Sequence, residues 1–236
     1  MVRIAVPDLV TNSYFPALAA EELGCYAAEG LDAHVELLTP APAAMAALRD
    51  GQVDFVVTGA HTTLAAFPGW KGAKLAVAVA QGTPWLLVLR ADLRARRGDL
   101  QAVKGLRLGA APGPDAALRR LLVEAGIGLD QVQLTPVPGA GTPGTSFGVL
   151  AAEALASRQI DGFWANAMGS ELAVRRGVGT VVVDVRRGDG PRAAKDFTFA
   201  ALVTTEALIE RQAEAVAAAI RAIVTAQRTL RASPGR

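Results

Sequence analysis

This 236-residue chain has little of what most enzyme chemistry needs: one cysteine, Cys25, and two histidines, His34 and His61. A single cysteine excludes an internal disulfide and any cysteine-rich metal motif. No His-x-x-x-His pair or carboxylate set has metal-ligand spacing, and no Gly-x-Ser-x-Gly elbow occurs, so metal and nucleophilic mechanisms lack sequence support and no cofactor is expected. Long apolar runs are also missing. Arg, Asp, Glu or Gly breaks each Ala-rich stretch before the roughly 18 residues that a membrane span requires, so no membrane insertion is expected. Leu23-Gly24-Cys25 follows Asp8, Glu21 and Glu22 with no apolar core between them, which excludes a lipoprotein signal. Basic runs are short: the formal net charge is +2, and Arg94-Ala95-Arg96-Arg97 reads as a solvated patch, so no nucleic-acid partner is expected.

What the chain does have is core material, 51% hydrophobic residues against 19% charged, and a repeat. "ALRDGQVDF", from Ala47, and "ALASRQIDG", from Ala154, both run Ala-Leu, three polar or small residues, Gln, a β-branched residue and Asp. Asp54 and Asp161 are 107 positions apart, which favours two similar lobes over one large domain.

The hydrophobic pattern supports this. Strands are expected at 3–6, 33–38, 54–58 and 74–80, with helices at 14–23, 43–50 and 62–66 between them, a β-α-β-α-β-α-β rhythm. A strand at 85–90 leads into a charged stretch, and the rhythm restarts: strands at 106–111, 132–137, 161–165 and 180–184, helices at 114–125 and 147–157. A strand at 197–204 and one long amphipathic helix from Glu206 to about Arg231 close the chain. The economical reading is an α/β protein of two lobes, each a mostly parallel sheet flanked by helices. Lobe 1 takes residues 1–84 plus 200–236 and lobe 2 takes 85–199, and the two crossings make a two-strand hinge.

Leu23-Gly24-Cys25-Tyr26-Ala27-Ala28-Glu29-Gly30-Leu31-Asp32 resembles the G-(aromatic)-x-x-E-G-L-x-V segment of the nitrate/sulfonate/taurine-type solute-binding proteins of ABC importers, a group that includes thiamine-pyrimidine-precursor binders. Ala47 to Asp54 resembles that family's A-L-x-x-G-Q-x-D. Val103-Lys104-Gly105-Leu106-Arg107-Leu108-Gly109, followed by Pro112-Gly113-Pro114, resembles its L-K-G strand and Gly-containing loop, and Ala154 to Gly162 its second A-L-x-x-x-Q-(I/V)-D-(A/G). The resemblance spans essentially the whole chain. It implies the two-lobed periplasmic-binding-protein type 2 fold, a small-molecule solute (a sulfonate, carboxylate or pyrimidine-like compound), an ABC permease as partner and a monomer rather than an enzyme. It also implies a periplasmic or extracellular location with the leader removed, or a cytoplasmic one if the chain is complete. Cys25 departs from the family, which has an aromatic or small residue there. The alternative is a cytoplasmic biosynthetic enzyme on the same fold, resembling pyrimidine-precursor synthases or menaquinone-pathway lyases. The synthases' cysteine-rich iron motif is missing, and His61 is the one attractive reactive group.

In such a fold the ligand meets loops that follow strands. Lobe 1 offers Thr11, Asn12, Ser13 and Tyr14 after the first strand, then Thr58, Gly59, Ala60 and His61 after the third. The bland reading of the second loop is a helix start capped by Thr62. The hinge offers Gln81, Gly82, Thr83 and Trp85, whose indole either stacks on a solute or fills core. Lobe 2 offers Gly113 and Asp115, the latter also explicable as a helix cap, and then Trp164 and Asn166, opposite numbers of Val57 and Gly59 at the 107 offset. The glycine-rich loop 138–146 lacks both nucleotide-binding patterns, but Thr145 and Ser146 could donate to an anionic head. Tyr14, Trp85 and Trp164 favour a solute with a planar or apolar part. Asp54 and Asp161 read as structural turn residues.

Overall fold

The computed structural model describes residues 1–142, 145–195 and 198–233. From the amino terminus the chain forms β1 (Val2–Val6), α1 (Phe15–Glu22), α2 (Cys25–Ala28), β2 (Ala33–Leu37), α3 (Ala41–Arg49), β3 (Phe55–Gly59), α4 (Thr62–Ala66) and β4 (Ala73–Gln81). It continues through β5 (Leu86–Arg90), β6 (Arg107–Ala110), α5 (Asp115–Glu124), β7 (Gln133–Leu134), α6 (Phe147–Ala156), β8 (Gly162–Ala165), α7 (Ala167–Arg175), β9 (Gly179–Asp184) and α8 (Arg192–Lys195). It ends with β10 (Thr198–Thr205), α9 (Glu206–Arg211) and α10 (Ala213–Ala232). The expected strand start at Phe197 and part of the expected loop 138–146 lie outside the described residues.

The chain divides into two compact units, Met1–Gln81 with Thr198–Arg236, and Gly82–Phe197. Each holds one five-stranded sheet. In the first the order is β2-β1-β3-β10-β4, and in the second β7-β6-β8-β5-β9. Within the first sheet β1 runs parallel to β2 and β3, while β10 is antiparallel to both β3 and β4. In the second, β6 runs parallel to β7 and β8, and β5 is antiparallel to β8 and β9. The sheets are therefore the same construction, four strands one way and one against them. The reversed strand is in both cases the one the chain forms on entering that unit from the other.

The repeated sequence sits at matching points of the two sheets. Asp54 precedes β3 and Asp161 precedes β8. Asp54 Oδ2 accepts the Arg3 backbone N–H at 2.9 Å, and Asp161 Oδ2 accepts that of Arg107 at 3.0 Å. The return bonds run from Asp54 N to Arg3 O at 3.0 Å and from Asp161 N to Arg107 O at 2.8 Å. Asp54 thus pins the start of β1 to the start of β3, and Asp161 the start of β6 to the start of β8, each satisfying a backbone donor at the sheet's amino end. The helix before each turn ends alike: Gly51 N bonds Leu48 O and Arg158 N bonds Leu155 O, with φ of +71° at Gly51 and +60° at Arg158.

Two expectations need correction. The helix expected from Glu206 to Arg231 is two helices, broken at Gln212, whose φ of −142° and ψ of 50° leave the helical region. The halves serve different anchors. Glu206 of α9 accepts from Gly72 N at 3.0 Å and pairs with Lys74 at 2.7 Å, while α10 packs along α1 and α2. The strand expected over 132–137 pairs with β6 only at Gln133 and Leu134, because Pro136 has no N–H and β7 is an edge.

In the first unit the core joins Ala5, Val56 and Val203 of the sheet to Ala44, Met45, Ala47 and Leu48 of α3. Fully burying side chains such as Met45 or Leu48 contributes about 1.5–3 kcal/mol each.

Candidate functional site

In the first unit the carboxyl ends of β1 and β3 meet the start of β10. Asp8 shapes the loop after β1: its Oδ1 accepts Val10 N at 2.6 Å and Thr11 N at 3.2 Å, and its Oδ2 accepts Thr11 Oγ1 at 2.9 Å. A short 3-10 turn over Asn12–Tyr14 then runs into α1. Asn12 is exposed, whereas Ser13 and Tyr14 are 4% and 5% exposed. The Ser13 Oγ is buried with no hydrogen-bond partner.

Tyr14 stacks on Phe199 of β10, ring centroids 6.3 Å apart and planes 24° apart. Phe199 also meets the His61 ring at 6.2 Å. Burial, aided by the Asp8 charge, pushes the Tyr14 phenol far above its ordinary range, and the Thr58 hydroxyl opposes the shift through a hydrogen bond. Gly59 closes the group. A Cβ there would lie 2.6 Å from His61 Cε1 and 3.3 Å from Phe199 Cε2, so the absent side chain is what lets the two rings approach the strand end.

The helix after this loop is not capped as the bland reading supposed. Thr62 Oγ1 donates back to Gly59 O at 2.7 Å instead of accepting from the helix, and no side chain caps α4. Thr63, fully buried, has its Oγ1 without a hydrogen-bond partner. Unpaired buried hydroxyls cost about 1–3 kcal/mol each, so two of them at one end of a sheet call for an explanation.

In the second unit, Trp85 and Trp164 are 5% and 1% exposed and stack on one another, centroids 6.3 Å and planes 17° apart. Of the two readings for Trp85, the side chain occupies core. The Trp164 Nε1 is buried without a partner. Asn166 caps α7, its Oδ1 accepting Gly169 N at 3.2 Å. Asp115 opens α5, with Oδ1 accepting Gly113 N at 3.1 Å and Oδ2 accepting Arg119 Nε at 3.2 Å. Thr83 Oγ1 donates to Ala194 O at 2.5 Å, and Gln81 ends β4 exposed. Thr145 spends its hydroxyl on Thr142 O at 2.7 Å, while the Ser146 Oγ is buried and unpartnered at the start of α6.

The structure thus gathers Ser13, Tyr14, Thr58, Gly59 and His61 into one cluster, gives Asn166 and Asp115 local hydrogen bonds, and ties Thr83 to Ala194. Sequence reasoning missed Phe199, Thr63 and Asp8. Phe199 carries no motif, and only the insertion of β10 beside β3 brings it to Gly59. The Pro7-Asp8 pair before an apolar dipeptide was a legible turn signal. Among the described residues no group of three or more His, Cys, Asp or Glu could hold a metal ion, and no helix is long and apolar enough to cross a membrane.

Two like-ordered mixed sheets with flanking helices, entered and left through two crossings, define the periplasmic-binding-protein fold. Solved structures agree. A protein of Bordetella bronchiseptica RB50 superposes with a TM-score of 0.79 at 23% identity, over 98% of this chain and 71% of that one. The alkanesulfonate-binding protein SsuA of Xanthomonas axonopodis pv. citri gives 0.73 at 15% identity, covering 99% and 75%. The periplasmic nitrate-binding protein NrtA of Synechocystis PCC 6803 gives 0.73 at 15%, covering 96% and 61%. A comparison with curated proteins finds no match. The chain belongs to the NMT1/THI5-like family, whose model matches residues 11–236.

Proposed function

We propose that this protein is the solute-binding component of an ABC importer and not an enzyme. It captures a small organic molecule at the carboxyl ends of its two sheets, and its two units close about the paired crossings as a hinge. The observation that carries this reading is the pair of like-ordered sheets in a chain of this family. The likeness in fold to alkanesulfonate- and nitrate-binding proteins supports it. The first unit supplies Ser13, Tyr14, Thr58, Gly59 and His61 to the solute. Asn12, Gln81, Thr83 and Trp85, with Gly113, Asp115, Trp164 and Asn166 of the second unit, complete the proposed set of ligand residues. The protein works as a monomer with a permease partner, on the outer face of the cytoplasmic membrane.

Native mass spectrometry of the freshly purified protein, followed by thermal unfolding with sulfonates, carboxylates, pyrimidines and amines, tests this reading. A true ligand at 100 times its Kd stabilises the fold by about 2.7 kcal/mol. Retained or added ligand should also reduce the radius of gyration in solution scattering. If no compound gives either stabilisation or compaction, the proposal fails.

A further inference from the structure

We propose that the carboxyl end of the first sheet receives a protonated amine of the solute and not a sulfonate, nitrate or carboxylate. This rests on the solute-binding reading and narrows it to a chemical class.

The first observation is charge. Residues 7–14, after β1, and residues 60–61, after β3, contain one Asp, Glu, Lys or Arg between them, and it is Asp8. Two cations of this sheet stand at its other end. Arg3, near the start of β1, pairs with Glu36 at 2.8 Å, and Lys74, near the start of β4, pairs with Glu206 at 2.7 Å. Among the described residues the Asp8 carboxylate accepts hydrogen bonds from the neutral groups of Val10 and Thr11, which leave its charge uncompensated, and that charge is felt as far as Tyr14. An anionic head brought to this loop meets a like charge, and an ammonium meets an opposite one.

The second observation is Ser13, in the same loop between Thr11 and Tyr14. Its side chain is almost wholly buried and its Oγ has no partner, so a hydroxyl able both to donate and to accept is kept out of water unsatisfied. The hydroxyl calls for a polar group of the solute, and the Asp8 charge beside it favours an ammonium N–H over an anion as that group. The carboxylate sets the sign of the ligand group, and the buried hydroxyl gives that group a partner.

Three probes sharing one carbon chain, butylamine, 1-butanol and butane-1-sulfonate, test the inference by calorimetric titration of the full chain at low salt. Butylamine should bind about tenfold or more tighter than 1-butanol, as expected of a charge-assisted hydrogen bond, and the sulfonate should bind weakest. Asp8→Asn should cut the amine-to-sulfonate ratio by about tenfold. Ser13→Ala should weaken amine binding while the Tm of the free protein stays level or rises, a pattern that a merely structural serine would not give. Tighter sulfonate than amine binding, or an unchanged ratio in Asp8→Asn, would overturn the inference. If no probe binds while another sulfonate or carboxylate does, the inference falls and the solute-binding reading stands. If no compound of any class binds, both fall.

Discussion

Arg158 stands where the first unit has Gly51, in the left-handed region at φ +60°. An L side chain there is strained by roughly 1–2 kcal/mol, partly offset by the greater freedom a glycine has in the unfolded chain. The ion pair from Arg158 to Asp92 at 3.2 Å is exposed and contributes little. Arg158→Gly should therefore stabilise the protein by about 0.5–1 kcal/mol in urea unfolding. Gly59→Ala is the opposite case. Its new methyl group would displace the His61 ring, so the His61 Cε1–H resonance should move and ligand affinity fall. The repeated aspartates were legible as turn residues because turn chemistry is local. Their partners were not: the bonds to Arg3 and Arg107 span 51 and 54 positions and exist only once the strands pair.

Among the elements, the crossing of α6 and α7 is the least forgiving. A Cβ on Gly169 would stand 2.4 Å from both Cα and O of Gly148, which are backbone atoms that no rotamer change can move. Gly169→Ala should cost about 3 kcal/mol, read as a lower urea midpoint with an unchanged slope. The sequence placed α6 within a residue or so, since its apolar spacing and stop signal are local, but gave no helix over Ala167–Arg175. It said nothing of their contact, because two glycines on separate helices carry no pattern. The break at Gln212 was invisible for a related reason. No Gly or Pro marks it, and the helix divides because α9 is tied to the start of β4 while α10 lies on α1 and α2.

For the molecule as a whole, acid should act unequally on the two units. In the second unit the Arg107 guanidinium holds the Asp161 carboxyl down to about 2, against burial, with Arg90 at 2.8 Å assisting. Arg186 likewise lowers Asp184, and Arg97 lowers Asp189. A carboxylate whose folded-state pKa is depressed contributes stability above its unfolded value near 3.8, lost as pH falls toward the folded one. For Asp161 this amounts to about 2 kcal/mol between roughly pH 4 and pH 2. Hydrogen exchange at pH 3 should show residues 82–195 opening before the first unit, and Asp161→Asn should flatten the pH dependence of stability in that window.

The sequence by itself determined the two-fold repetition, the α/β class, most element positions and the family, since hydrophobic period, turn residues and short motifs act over a few neighbouring residues. Tertiary structure decided which strand is reversed, that Phe199 joins Tyr14, Gly59 and His61, and that the hydroxyls of Ser13 and Thr63 are left without partners. The first two of these depend on the chain leaving the first unit and returning to it more than a hundred residues later. No local pattern encodes where a returning strand inserts. That is settled by which sheet position buries it best.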